Sequence, residues 1–231
     1  MLVCQSRSSR SFSNCTPSNK ALAVNGAIES FSFVRLNANR LLQLNASVRL
    51  APQRGSGVAI LEPGEAAFAY KAKILSYQAG ADFLALQASA PAKLASLIGG
   101  LSAEELARRP APDKWSIQEL VAHLADDELV GGYRIRMILS APGTPIQAFD
   151  QDVWARTGRY DKTDVRSSLE MFRVLRQANL ALLRSLSPGE WNMFGMHAER
   201  GAESIRDIAM YYAGHDINHF KQIEAIRASR I

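Results

Sequence analysis

The sequence predicts an all-α protein whose main part is a four-helix bundle. From about Tyr70 onward, amphipathic segments are separated by short runs that contain Pro, Gly or Asp. No segment of any length shows the two-residue alternation of a strand, and apolar residues recur instead at helical spacing. Four helices of the predicted length are expected to pack together as a bundle.

The first 68 residues are predicted to form a poorly structured extension, and the bundle is placed over 69–231. The stretch up to about Pro63 is rich in Ser, Asn and Arg and shows no sustained helical or strand period. This composition is typical of a transit peptide, but equally of a bacterial chain with a misplaced upstream start codon. We favour a disordered or non-native extension.

The formal net charge of +5 does not indicate nucleic-acid binding. Seven Lys or Arg residues and only Glu29 precede Glu62, so this segment carries about +6 and the remainder about −1. The predicted bundle lacks the basic face with aromatic neighbours that is typical of a phosphate-binding surface. We therefore expect no nucleic-acid partner.

The positions of the two cysteines and the hydropathy of the chain exclude further classes of protein. Cys4 and Cys15 both lie in the basic N-terminal stretch, so the bundle has no disulfide framework and no thiolate to offer a metal. No run approaches the roughly eighteen apolar residues that a membrane span needs. We expect a soluble, cytoplasmic protein without a membrane partner.

Two segments are defined by residues that interrupt helices. The first helical region is predicted over about Ala79–Ile98, is expected to break or restart at Pro91, and ends at Gly99. Residues 141–163 form a connector between the second and third helices that exceeds the usual helix-to-helix turn. It is predicted to be a lid or a long crossover, with a short helix around Trp154.

The second helix has the clearest start. Ser116 is predicted to cap it, with Glu119 completing a capping box, and the helix continues to about Leu139. Its core face is predicted to hold six apolar residues, Ile117, Leu120, Val121, Leu124, Ile135 and Ile138.

The third and fourth helices also begin at capping residues. Asp164 is predicted to cap the third, which ends before Ser187, and Ser204 with Asp207 opens the fourth. The predicted core face of the third helix consists of Val165, Leu169, Phe172, Leu175, Leu182, Leu183 and Leu186. That of the fourth includes Ile208, Tyr212, Ile223 and Ile226.

Histidines supply the strongest candidate for chemistry. His215 and His219 are four residues apart, so their imidazoles lie about one turn apart on the core face of the fourth helix. Such a pair alone is more often a satisfied core pair or a surface feature than a metal site. His123, two turns into the second helix, could reach the facing helix. With this third imidazole, a metal site becomes the favoured interpretation.

Three imidazoles with one free position form an open metal site that can activate a water or receive a substrate atom. The sequence therefore predicts one divalent metal ion bound by His123, His215 and His219. Zinc and nickel are the expected ions, with iron and manganese as alternatives, because imidazole selects weakly among them.

Two motifs carry a family resemblance. The segment W-S-x-x-E-L-V-x-H-L-A-D-x-E over Trp115–Glu128 and the segment A-G-H-D-x-N-H over Ala213–His219 together resemble the DinB/YfiT-like superfamily. The resemblance covers roughly Tyr70 to the end and implies a four-helix bundle with one metal ligand on the second helix and two on the fourth. All three ligand positions are filled here.

The resemblance also implies a mixed set of functions, including thiol-dependent transferases and isomerases. Because the bundle contains no cysteine, a thiol would have to arrive on a small molecule such as bacillithiol, mycothiol or glutathione. Small-molecule thiols or other small substrates are therefore the expected partners. The family pattern also makes a homodimer plausible.

Several polar residues near the histidines have two interpretations. Asp127, Glu128 and Asp216 are candidates for carboxylates that orient the ligand imidazoles, although each could instead be an ordinary surface or ion-paired acid. His197 is interpreted as a loop residue rather than a fourth ligand. Tyr160, Arg159 and Arg200 could line a pocket mouth for an anionic substrate, but exposed charge is the simpler interpretation.

Two functions stay open at this point. The first is a metal-dependent enzyme of the thiol S-transferase or hydrolase type, and the second is a non-catalytic bundle that the ion only stabilises, acting in stress or in partner binding. A ferritin-like di-iron protein is excluded because no Glu-x-x-His pair occurs, and a zincin protease because H-E-x-x-H does not occur.

Overall fold

The structure is a computed structural model and describes residues 63–229 of the 231-residue chain, with side chains from Ala67 onward. Within this range the elements are α1 (Pro63–Ser76), α2 (Phe83–Ile98), α3 (Ala103–Ala107), α4 (Ile117–Ser140), β1 (Pro145–Ile146), α5 (Gln151–Thr157), α6 (Val165–Ser185), β2 (Phe194–His197), β3 (Gly201–Ser204) and α7 (Ile205–Ala228).

Four long helices form the bundle, which confirms the predicted fold class. α4 packs against α6 and α7, and α2 also packs against α6 and α7, so the helices form a closed ring around the core. No helix within residues 63–229 is both long and apolar enough to cross a membrane.

The two helices that carry the candidate ligands begin as predicted. Ser116 and Glu119 form a reciprocal capping box at the start of α4, and Ser204 and Asp207 form another at α7. All of the apolar residues predicted for the core faces of these two helices are buried. The caps fix where each helix starts, and the periodicity fixes which face turns inward.

The prediction that Pro91 breaks the first bundle helix is wrong. α2 begins after Asp82, whose side chain accepts hydrogen bonds from two backbone N–H groups, and it continues through Pro91 to Ile98. A proline leaves the carbonyl four residues earlier without its helical donor. Here that carbonyl belongs to Gln87 and accepts a hydrogen bond from Arg176 Nη1 at 3.2 Å, so the buried polar group stays satisfied.

Helix α1 was not predicted, and it begins at Pro63, upstream of position 69. It packs on α7 at Gly214, where an added Cβ would lie 2.1 Å from the backbone oxygen of Ile74. The bundle therefore has a fifth packed helix. The predicted extension covers residues 1–68, of which 63–68 belong to α1. Residues 1–62 lie outside the described residues, so for them the extension stays a prediction.

The segments between the long helices contain the short elements. The predicted helix around Trp154 is present as α5, within the long connector. A three-stranded sheet in the order β1-β2-β3, which was not predicted, joins the connector to the segment before α7. β1 pairs with β2 in parallel and β2 pairs with β3 antiparallel. Strands of two to four residues are too short for alternation to be detected.

Candidate metal centre

Three histidines from two helices meet at the centre of the bundle. One ligand atom from each of His123 on α4 and His215 and His219 on α7 lies within 4.8 Å of the others. Their side chains are buried, with 1%, 3% and 4% of the residue surface exposed. The helical spacing places the α7 pair on the core face, and the packing of α4 on α7 brings the third imidazole to it.

The two imidazoles on α7 point the same nitrogen toward each other. His215 Nε2 and His219 Nε2 are 2.9 Å apart. On the opposite side of each ring, His215 Nδ1 lies 3.3 Å from Asp127 Oδ2 and His219 Nδ1 lies 2.9 Å from Gln222 Oε1. If both Nδ1 atoms carry their proton and donate it to these oxygens, both Nε2 lone pairs are free to hold an ion.

The third imidazole has no hydrogen-bond partner. Both nitrogens of His123 are fully buried and unpaired, and within the described chain no other side-chain nitrogen or oxygen is in this state. Its Nε2 lies 3.4 Å from Asp127 Oδ2, and its ring packs edge-on against Trp115 at 4.9 Å between centroids. Leaving a buried polar group unpaired costs about 1–3 kcal/mol, so the position requires a compensating interaction.

The electrostatic environment keeps these imidazoles neutral. Burial lowers the pKa of His123 and of His219 to about 3, and for His219 the neighbouring His123 adds to the effect. The pKa of His215 is also lowered, first by burial and then by the two other histidines. A neutral imidazole is the form that binds a metal, so no proton has to be displaced from the ligands at neutral pH.

Asp127 is the carboxylate that contacts two of the three imidazoles, as one sequence interpretation expected. Burial raises its pKa to about 7, against the opposing effect of the nearby Arg134 guanidinium. It also lines a small cavity beside His215. Asp127 is therefore placed both to orient an imidazole and to exchange a proton with a molecule in that cavity.

The other two candidate carboxylates are directed elsewhere. Glu128 and Asp216 both bind the buried Arg176, at 2.8 and 2.6 Å, and no contact joins either carboxylate to an imidazole of the cluster. Burial opposes the charge on Arg176, but the two carboxylates outweigh this and raise its pKa. These acids thus position helices α4 and α7 through α6 and do not orient the imidazoles directly.

Two cavities each include one histidine of the cluster in their wall. A cavity of about 520 Å³ touches His219 and has an apolar wall that includes Trp115 and Leu120. A second, of about 100 Å³, touches His215 and is polar, with Arg134 in its wall. Gln151, in the connector that was predicted to be a lid or crossover, lines both cavities.

One residue of the site was not recognised in the sequence, and another was assigned to the wrong kind of segment. Gln222 lies three residues after His219, a spacing that places it on the same helical face and could have revealed it. His197 lies on β2 with 4% of its surface exposed, and not in a loop. It lines the smaller cavity but does not belong to the three-histidine cluster.

Comparisons with known proteins agree with this arrangement. A protein of Oceanobacillus iheyensis named "Putative metal-dependent hydrolase" is 26% identical over 136 residues, which is 59% of this chain and 78% of that protein. A second protein from the same organism, with the same name, is 25% identical over 132 residues, or 57% of this chain and 76% of its own length.

A solved structure has the same fold. It is that of YfiT from Bacillus subtilis, described as "a probable metal-dependent hydrolase with an unusual four-helix bundle topology". The TM-score is 0.60 and the identity 18%, over 76% of this chain and 93% of YfiT. The family model of the DinB superfamily matches residues 88–223, which is more than half of the chain and includes all three histidines. The chain belongs to the DinB superfamily.

Proposed function

We propose that this protein is a metal-dependent hydrolase whose ion is held by His123, His215 and His219. The observation that carries the proposal is the buried, unpaired imidazole of His123, directed into a cluster with two imidazoles whose Nδ1 atoms already face oxygen acceptors. A divalent cation would satisfy all three rings at once.

The donor set fits a borderline ion. Three neutral nitrogens suit zinc or nickel, and iron(II) or manganese is compatible, because imidazole discriminates weakly among these metals. Such an ion supplies Lewis-acid chemistry, providing a water nucleophile at neutral pH and polarising a carbonyl or phosphoryl oxygen.

Asp127 is proposed to act as the proton acceptor of the hydrolysis. Its carboxylate lies beside His215 and faces the smaller cavity, so it can receive a proton from a water held there. A pKa near 7 allows a carboxylate to accept a proton and release it again close to neutral pH. Gln222 and Asp127 hold the two α7 imidazoles in one tautomer while this happens.

The cavities support an enzyme over a bundle that the ion only stabilises. A purely structural site is closed by its ligands, whereas two of these histidines, His219 and His215, each line a cavity. The names of the relatives favour hydrolysis, which is said of them and is proposed here for this chain. Thiol transfer has no observation of its own in its favour and stays a prediction.

The proposal is tested by replacing the metal with cobalt(II) in the full chain and recording the visible spectrum. A spectrum that changes on addition of acetohydroxamate shows a coordination position that a substrate could occupy. Hydrolysis of small esters and amides should then depend on the ion and be lost in His123→Ala. A spectrum unchanged by acetohydroxamate, or hydrolysis equal in metal-free protein and in His123→Ala, contradicts the proposal.

A further inference from the structure

The geometry points to a carboxylate-binding pocket in the small cavity beside the metal centre, formed by Arg134, His197 and Arg200. This inference rests on the proposed function for its meaning, since it assigns the substrate class: small molecules that carry a carboxylate next to the hydrolysed bond. The pocket itself is defined by hydrogen-bond donors that the protein leaves unused.

The protonation of His197 is fixed by the backbone. Its Nδ1 accepts a hydrogen bond from the backbone N–H of Glu199 at 3.1 Å, so this nitrogen carries no proton. In the neutral ring the proton must then lie on Nε2, which makes Nε2 a donor. Burial lowers the pKa of His197 to about 4, with Arg200 adding to the effect, which agrees with a neutral ring at neutral pH.

Arg134 is buried without a carboxylate partner. Nine percent of its surface is exposed, and it makes no ion pair with any residue of the described chain. One of its terminal nitrogens, Nη2, donates to the backbone oxygen of Gln147 at 2.8 Å, and its guanidinium lies 5.8 Å from the Phe149 ring centroid. Its Nε and Nη1 groups make no hydrogen bond in residues 63–229. Arg134 acts electrostatically on Asp127 in the same cavity wall, but no carboxylate of the described chain forms a direct ion pair with it.

Arg200 is held in place but keeps donors free. Its Nε and Nη2 each bind an oxygen of Glu203 at 2.8 Å, which leaves Nη1 without an acceptor in the described chain. Glu203 also binds Lys71 Nζ at 2.7 Å, so one carboxylate neutralises two cations. The ion pairs fix the guanidinium, while Lys71, Glu203 and Arg200 together keep one positive charge.

The balance of charge and size selects a carboxylate. Arg134 adds a second positive charge, and of the two acids in the wall only Asp127, which also contacts His215, is buried, while Glu199 is exposed. The pocket thus has room for about one negative charge. A volume of about 100 Å³ suits a small planar anion, and guanidinium groups match the two oxygens of a carboxylate.

The position of the pocket determines the orientation of the substrate. When the substrate carboxylate occupies the small cavity, the neighbouring bond of the substrate lies at the three histidines. The remainder of the substrate extends toward the larger, more apolar cavity that includes His219 and Trp115. Hydrolysis of an ester or amide there adds water across the acyl bond, giving a carboxylic acid and an alcohol or amine. Substrates of this class have a charged end and an apolar end.

The test is the binding of hexanoate to the full-length chain, measured by calorimetry at constant ionic strength, with hexanamide and inorganic phosphate as comparison ligands. Hexanoate should bind, hexanamide should bind at least tenfold more weakly, and phosphate should not compete. Arg134→Met should weaken hexanoate binding about tenfold to a hundredfold, because a charge-assisted hydrogen bond is lost. His197→Asn should weaken it less. Arg184→Met, at an exposed arginine outside the cavity, should have no effect.

The same titration after exhaustive dialysis against EDTA separates this inference from the proposed function. Hexanoate binding that persists without metal and depends on Arg134 supports the pocket, even if no metal binds to the histidines. Binding that requires metal and is unchanged in Arg134→Met overturns the pocket while leaving the metal site intact. Equal binding of hexanamide, preferential binding of phosphate, or no binding of hexanoate with or without metal also overturns it.

Discussion

At the scale of single residues, the metal centre is defined by which imidazole nitrogens already face a hydrogen-bond acceptor and which do not. Asp127 and Gln222 face the Nδ1 atoms of the two histidines on α7, while neither nitrogen of His123 has a partner. Partners of this kind fix the tautomer of a metal ligand and increase its basicity. Asp127 is therefore expected to contribute to metal affinity without binding the ion itself.

Replacing Asp127 tests this contribution. Asp127→Asn should lower the affinity for Zn²⁺ or Ni²⁺ about 10- to 100-fold, because the imidazole of His215 loses its anionic acceptor. Competition with a chromophoric chelator measures the affinity. Asp126→Asn is the matched control, since Asp126 accepts a hydrogen bond from Tyr160 at 2.5 Å instead of facing an imidazole. Equal losses in the two variants would contradict the assigned role.

The lowered pKa values predict how the metal-free protein responds to acid. A histidine whose pKa falls from 6.5 in the unfolded chain to about 3 in the folded protein stabilises the fold above pH 6.5. That stability is lost as the pH falls through 6.5 toward 3, because unfolding then takes up a proton at each ring. The metal-free protein should lose stability in this range.

His123→Phe isolates one of these protons. In the presence of chelator, its free energy of unfolding should depend less steeply on pH than that of the parent between pH 6 and 4. The expected difference is about 1.4 kcal/mol per pH unit, the value for one proton. Urea unfolding followed by circular dichroism measures it. Identical slopes would mean that His123 is not held neutral by burial.

At the scale of elements, one buried cation joins all four bundle helices. Arg176 on α6 binds Glu128 of α4, Asp216 of α7 and the carbonyl of Gln87 on α2. Because α4 and α7 carry the histidines, this cluster fixes the relative placement of the ligands. Glu128 is held further by Asn179, whose side-chain nitrogen lies 2.8 Å from its Oε1.

Replacing Arg176 should be among the most destabilising substitutions outside the three-histidine cluster. Arg176→Met leaves two buried carboxylates without a cation, and breaking a buried ion pair in this way costs about 3–5 kcal/mol. Chemical unfolding measures the change in the free energy of unfolding. Arg173→Met is the control, three residues earlier on the exposed face, where Arg173 binds Glu170. It should change stability by less than about 1 kcal/mol. Similar values for the two variants would contradict a supporting role for Arg176.

Helix α1 depends on one close approach. The absence of a side chain at Gly214 allows the backbone of Ile74 to lie against α7, so Gly214→Ala should force the helices apart and destabilise the protein by about 1–3 kcal/mol. Gly189→Ala is the control, since a Cβ there meets no atom within 4 Å. Thermal unfolding compares them. A stable Gly214→Ala protein with α1 unperturbed would show that this contact is not needed.

At the scale of the whole molecule, the sequence predicts those elements whose start and buried face are determined by residues close together in the chain. The starts of α4 and α7 follow from capping boxes, and their core faces follow from helical periodicity, which also placed three histidines inward. α1 contains little apolar periodicity, and its packing depends on a distant glycine. The strands are too short to show a pattern, and their pairing joins residues far apart in sequence.

The core face of α6 shows a further limit of sequence analysis. Periodicity predicted seven apolar residues inside, but Leu169, Leu175, Leu182 and Leu186 are only partly buried. Arg176 and Asn179 are buried instead. A polar residue on a core face is recognisable only when its partners are known, and these come from other helices. For the same reason Glu128 could be predicted to be ion-paired but not assigned to Arg176.

The most direct test of the three-histidine centre is elemental analysis of the purified full chain after dialysis without chelator. His123→Ala and His215→Ala are measured beside it, with His197→Gln as a histidine control outside the cluster. We expect about one equivalent of a divalent metal in the parent and in His197→Gln, and its loss in both cluster variants. Metal absent from the parent, or retained in the cluster variants, would contradict a metal centre built from these residues.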